Sequence, residues 1–195
     1  HQYLMGTASV ATGSKSVMTI NLNRIIQIAA RKYFKEALNV DLPAGQPVPA
    51  DLKYDRAELY KVIDEEISEM TQKVHKYQNA FNEIIKDFLA ADMLDVYKAG
   101  FIDMRKQYLT VGVNGLTDAA EFLGLTISPN DEYKEFVNTI LETINVANRK
   151  DRTKDAMFNT EFVPGENLSG KNYKWDAKDG FFVSPKHNMY SSYFY

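Results

Sequence analysis

The sequence contains no cysteine. Its 195 residues therefore offer no disulfide, no thiolate metal site and no thiol nucleophile. The three histidines, His1, His75 and His187, stand far apart, so no local metal-binding motif exists. No apolar run approaches the roughly 18–20 residues that span a bilayer. The opening residues HQYLMGT lack a basic start and an apolar stretch, so no signal peptide is expected. Net charge is −3, and no global basic field points to nucleic acid. Neither G-x-x-x-x-G-K followed by Ser or Thr nor G-x-G-x-x-G occurs, so the common phosphate-loop signatures are absent. At 45% hydrophobic and 25% charged residues, the composition is that of a globular piece, one domain or a large part of one.

The most informative stretch that is present is GTASVATGSKSVMTINLNR, residues 6–24. A small-residue loop runs into the apolar segment Val17-Met18-Thr19-Ile20, then into Asn21, Asn23 and Arg24. Little side-chain bulk lets backbone N–H groups approach a ligand. A strand ending Asn-x-Asn-Arg places neutral hydrogen-bonding groups and one fixed cation at its C-terminal edge, where α/β folds hold substrates. The plainer reading is an ordinary loop and strand with polar punctuation.

Residues 1–16 read as loop, 17–22 as strand and 23–38 as helix. Three prolines and a glycine make 39–52 a connector. Residues 55–93 carry the clearest helical signal. Leu59, Ile63, Ile67, Met70, Val74, Tyr77, Phe81, Ile84 and Phe88 step by three and four into one apolar seam. His75 lies off that seam and reads as a packed or solvent-facing structural residue with no titratable partner implied nearby. After Gly100, residues 105–113 look like a strand. Asn114-Gly115 turns the chain into a helix over 116–123 with Thr117 as its N-cap. Another helix is expected at 131–148, then a strand at 156–163 closed by Pro164-Gly165-Glu166-Asn167. An aromatic, charged loop follows, and 189–195 reads as a last strand. Strands alternating with helices predict an α/β architecture with parallel pairing. The start without Met and the β-prone ending SSYFY point to a piece of a longer chain. An isolated piece would have open sheet edges and a tendency to associate.

Three strand-to-loop junctions carry the candidate chemistry: Asn21 to Arg24, Val113-Asn114-Gly115, and Val163 to Asn167. Glu166 is the best acid/base candidate, since the preceding Pro164-Gly165 fixes its backbone by turn geometry. A solvent-exposed turn acid is the alternative. Asn21 and Asn23, two apart on a strand, would share a face and orient a hydroxyl or carbonyl. Lys15 and Arg24 are cations that could meet phosphate, with plain surface solvation the alternative for Lys15.

The run VATGSKSVMTINLNRI resembles the anaerobic, glycyl-radical (class III) ribonucleotide reductase large subunit, in which a Thr-Gly-Ser loop leads into a strand ending Thr-Ile-Asn-Leu-x-Arg. QYLTVGVNGLTDAAEFLGL at 107–125 and FNTEFVPGENLSGKNYKWDAKDGFFV with the later YSSYFY, within 158–195, agree in the same order. Together these segments cover about half the chain.

The resemblance implies part of a ten-stranded α/β barrel, here a helix-rich fragment with one long amphipathic helix, residues 1–195 forming a single partial domain. It implies a parent that reduces ribonucleotides, through a thiyl radical that abstracts the 3′ hydrogen while the 2′ hydroxyl leaves as water. The radical would be stored on a distal glycine and made by an iron–sulfur, S-adenosylmethionine activase. Formate or a thiol system would be the reductant, and a distal zinc site would lie outside this chain. Other implied properties are a cytoplasmic location, a homodimeric parent, and no nucleic-acid or membrane partner. The thiyl cysteine would lie upstream of the Thr-Gly-Ser loop, so the fragment itself lacks the radical residues. Met189 stands where relatives often carry cysteine. By position, Asn21 matches the substrate-contacting asparagine, with Asn23 the one-register alternative. Gly13, Ser14, Pro164, Gly165 and Asn167 would lie near ribose and phosphates, with Arg24 and Asn114 at neighbouring junctions and Glu166 as the nearby carboxylate. The alternative functions are a catalytically inactive nucleotide-binding relative, or a structural module in which the 55–93 helix is a dimerisation seam.

Overall fold

The structure, a computed structural model, describes residues 11–163, 166–191 and 193. Its elements run β1 (Ala11–Asn21), α1 (Leu22–Leu38), α2 (Arg56–Ala90), α3 (Asp95–Lys98), β2 (Ile102–Asn114), α4 (Leu116–Phe122), α5 (Asp131–Asp151), β3 (Met157–Phe162) and α6 (Glu166–Lys178). The strands form a parallel sheet in the order β1-β2-β3, as the alternation of strands and helices predicts. No helix among the described residues is long and apolar enough to cross a membrane.

One face of the sheet is dry. Ile20, Val111 and Val113 project into a core with Leu22, Ile26, Leu59, Ile63, Leu116, Phe136 and Ile140, all at most 3% exposed. Alternation sends the other residues to the opposite face, which is polar. There the Ser14 hydroxyl meets that of Thr110 at 2.6 Å, Thr110 donates to Asn159 Oδ1 at 2.6 Å, and Asn159 Nδ2 donates to Glu161 at 2.9 Å. The sheet thus turns its wet side away from the helices.

Several expectations need correction. β1 begins at Ala11, so the small-residue segment from there to Ser16 is strand, not loop. It pairs with β2 through irregularities at 11–13 and 14–16, which is where its glycine and serines fall. Thr117 does not cap α4. Gly115 holds that place in the left-handed conformation, φ +76°, and no side chain caps the helix. The aromatic, charged stretch read as loop is α6, whose buried face is Ser169, Asn172 and Asp176. Met189, Tyr190, Ser191 and Tyr193 are in no strand, and the other residues of the expected last strand lie outside the described residues.

The seam of α2 divides in two. Leu59, Ile63, Ile67 and Val74 are buried, whereas Tyr77, Phe81, Ile84 and Phe88 are 43–59% exposed. Over that second half, polar residues face inward. Gln78 donates to the Thr110 carbonyl at 2.7 Å and Asn82 to that of Asp155 at 3.2 Å. His75 is packed, as expected, but not without a titratable partner. Its Nδ1 lies 2.7 Å from Asp151 and its Nε2 2.8 Å from Asn148 Oδ1.

Candidate functional site

The C-terminal ends of the parallel strands gather the polar groups. Asn21 and Asn114 are the last residues of β1 and β2 and are cross-strand partners. α6 starts at Glu166, just past the end of β3. A parallel sheet aligns its strand ends in this way, and the crevice beyond them is where such folds hold ligands.

Asn21 closes β1 and caps α1, its Oδ1 accepting the Arg24 N–H at 3.1 Å. Its Nδ2 donates to Asp176 Oδ2 at 2.8 Å. Asn23, expected beside it on a strand, lies in the first turn of α1, because the Asn21 cap starts the helix at Leu22. It is fully buried, and its Nδ2 reaches the Phe182 carbonyl at 2.8 Å and the Tyr190 hydroxyl at 2.7 Å. Its Oδ1 accepts from Gln27 at 2.8 Å.

Arg24 is engaged twice. Its Nε lies 2.6 Å from Asp176 and its Nη2 2.6 Å from Asp179, with the guanidinium over the Phe181 ring at 4.7 Å. Burial works against its charge, and the bonds to the two aspartates outweigh it, so its pKa is raised. Lys15 points elsewhere, towards the carbonyls of Met104 at 3.2 Å and Asp155 at 3.5 Å. Burial, and secondarily Lys86, lower its pKa.

Asp176 is the hub of this edge. It is completely buried, and Asn21, Asn23, Arg24 and the Tyr190 hydroxyl all donate to it. Burial first, and the bond to Asp176 second, push the Tyr190 phenol far above its ordinary pKa, so it stays a neutral donor.

Asn114 is 1% exposed. Its Oδ1 accepts from Asn172 at 3.3 Å, while its Nδ2 is buried with no hydrogen-bond partner among the described residues. Gly115 follows, and a Cβ on it would lie 3.1 Å from that of Asn23 and 3.2 Å from the Tyr190 ring. The close approach of those two residues thus depends on glycine. Beyond it, Asp118 is fully buried. Ser184 N–H donates to its Oδ1 at 2.9 Å, and His187 Nε2 stands 3.5 Å from its Oδ2, within ion-pair reach but long for a hydrogen bond. Burial pushes its carboxyl up to about 7.

The remaining candidates are spread out. Gly13 and Ser14 lie in the first half of β1, with Ser14 seven positions before Asn21, about 23 Å away at a strand's rise per residue. The structure therefore does not bring them to the same end of the strand. Asn167 is exposed in the first turn of α6. Pro164, Gly165 and the Glu166 side chain lie outside the described residues. Asp176, Tyr190, Asn172 and Asp118 escaped sequence reasoning. The polar spacing 169, 172, 176 at helical period was the one signal that could have found α6's inward face.

The family model for anaerobic ribonucleoside-triphosphate reductase matches residues 2–195. No curated protein sequence matches the chain. Among solved structures, the anaerobic ribonucleotide reductase from Thermotoga maritima in complex with dATP and CTP is similar, with TM-score 0.75, 23% identity, and coverage of 97% of this chain and 28% of that one. The same enzyme with MES in the active site matches at TM-score 0.71 and 25% identity, covering 97% of this chain and 28% of that one. A further structure, described as anaerobic ribonucleotide reductase, matches at TM-score 0.72 and 22% identity over 96% of this chain and 26% of that one. The chain thus spans little more than a quarter of the solved chains it resembles.

Proposed function

The chain belongs to the anaerobic ribonucleoside-triphosphate reductase family, and on that premise we propose that residues 1–195 are one partial domain, the middle of a barrel that converts ribonucleotides to deoxyribonucleotides. The observation that carries this reading is the alignment of Asn21 with Asn114 at the C-terminal edge of a parallel sheet, the Asn114 Nδ2 buried there without a partner among the described residues. A ribonucleotide is the occupant proposed for that edge. The Thermotoga maritima enzyme in complex with dATP and CTP supports a nucleotide as ligand.

The family implies a glycyl radical in the parent, which supplies the one-electron chemistry when present. This chain fits neither the thiyl residue nor the zinc site, since it has no cysteine, and its described residues hold no cluster of His, Asp or Glu fit for a metal. Its own residues bind, orient and move protons. Asn21 holds a ribose hydroxyl. Asn114 donates its free N–H to the nucleotide. Glu166 takes or returns a proton at the ribose. Pro164, Gly165 and Asn167 line the ribose and phosphates in this reading. Asn23 and Arg24 support the wall through the Asp176 network, while Gly13 and Ser14 belong to the same strand as Asn21 but to its far half. An iron–sulfur, S-adenosylmethionine activase, formate or a thiol reductant, and a homodimeric assembly complete the proposal.

The test is an anaerobic assay of the full-length protein with its activase and S-adenosylmethionine. A glycyl-radical resonance together with deoxyribonucleotide formation is expected. Radical formation without any deoxyribonucleotide product contradicts the reading and favours an inactive nucleotide-binding relative.

A further inference from the structure

We propose that Asp176 is a positioning residue, which locks the carboxamide of Asn21 in one orientation at the sheet edge. The inference rests on the reading of that edge as a substrate site. Asn21 gives one Nδ2 hydrogen to Asp176 at 2.8 Å, and its Oδ1 accepts the Arg24 N–H at 3.1 Å. A carboxamide flipped by half a turn would aim its oxygen at a carboxylate and its N–H groups at an N–H. Both contacts therefore select the same state. What Asn21 has left is fixed: one amide N–H and one oxygen lone pair, on a side chain only partly buried at the end of β1. A hydroxyl-bearing ligand meets a single donor–acceptor pattern there, instead of an amide free to present either.

Capping α1 requires only the bond from Arg24 N–H to Oδ1. The second contact reaches 155 positions along the sequence, to a carboxylate that is itself firmly held. Arg24 Nε binds Asp176 Oδ1 at 2.6 Å, and the Tyr190 hydroxyl and Asn21 share Oδ2, with Asn23 Nδ2 at 3.4 Å. Arg24 is fixed in turn by Asp179 at 2.6 Å. Charge-assisted bonds to a carboxylate with no solvent access leave it little freedom to rotate. Of the residues Asp176 binds, Asn21 is the one proposed to touch the substrate, while Asn23 and Arg24 support the wall, so an effect that passes through Asn21 is told from theirs by whether the losses add.

A double-mutant cycle in the full-length protein, at matched glycyl-radical intensity, tests this. Asp176→Leu removes both acceptor oxygens while keeping the branched shape of the side chain. It should lower kcat roughly tenfold while KM for the nucleotide stays within about twofold. Added to Asn21→Ala, it should lower kcat by less than about twofold more, because the residue it positions is already gone. Losses that multiply in the double variant, or a changed KM with kcat intact, overturn the inference. Full turnover by Asn21→Ala alone would instead overturn the reading of the edge. If Asp176→Leu does not fold, Asp176→Asn runs the same cycle, with an expected loss of about threefold and the same non-additivity.

Discussion

Asn23 and Tyr190, separated by 167 positions, meet at 2.7 Å between the Asn23 Nδ2 and the phenol oxygen. The same amide holds the Phe182 carbonyl at 2.8 Å, and Gln27 binds the Phe182 N–H and carbonyl at 2.8 Å each. The stretch after α6 is thereby fastened to the first turns of α1. Asn23→Ala leaves buried polar groups short of a donor and should destabilise the protein by about 2–3 kcal/mol. Urea denaturation of the variant measures it, and a midpoint equal to wild type contradicts this fastening role.

Gly112 sits mid-strand in β2, where a Cβ would lie 2.6 Å from Thr19 Oγ1 and 2.6 Å from Val163 Cγ2. Side chains from β1 and from just past the end of β3 lean over the central strand, and only the absent Cβ permits it. Gly112→Ala is expected to cost about 1–3 kcal/mol, the usual penalty for overpacking. Pairing it with Thr19→Ala, which deletes one of the two clashing atoms, should recover part of the loss in thermal unfolding.

Asp118 makes stability depend on pH. Its carboxyl, ordinarily at 3.8, is raised to about 7 in the fold, by burial first and with Glu121 and Asp176 adding to it, against the Ser184 N–H. The His187 Nε2 stands 3.5 Å from its Oδ2. Between these two values the folded state keeps a proton that the unfolded chain has released. Stability is therefore complete below 3.8 and falls as pH rises through about 7. At 1.36 kcal/mol for each tenfold change, that gap sets a ceiling of about 4 kcal/mol. Asp118→Asn, which still accepts from Ser184, should flatten the slope and be more stable than wild type at pH 8. Parallel pH–stability curves for the two proteins would contradict the assignment.

Much of the fold was legible because apolar residues repeat at helical period in α1, the first half of α2, and α5. Where the buried face is polar, the pattern failed. Ser169, Asn172 and Asp176 turn inward on α6 while Trp175 is 54% exposed, so the helix read as an aromatic loop. The distal half of α2 misled in the same way, with His75, Gln78 and Asn82 inside and Phe81 and Phe88 outside. The start of β1 was hidden because Gly and Ser suggest turns, while backbone pairing to β2 decides the matter. At the site, Asn21 and Asn114 were visible from their place at strand ends. Asp176 and Tyr190 were not, since a partner 155 or 167 positions away leaves no local trace.

Whether the edge bearing Asn21 and Asn114 binds the ribonucleotide is decided by its effect on turnover. The most direct measurement is the turnover of full-length Asn21→Ala at a glycyl-radical content equal to wild type. A loss of roughly tenfold or more in deoxyribonucleotide formation is expected, with the radical still formed. Wild-type turnover in that variant would contradict it.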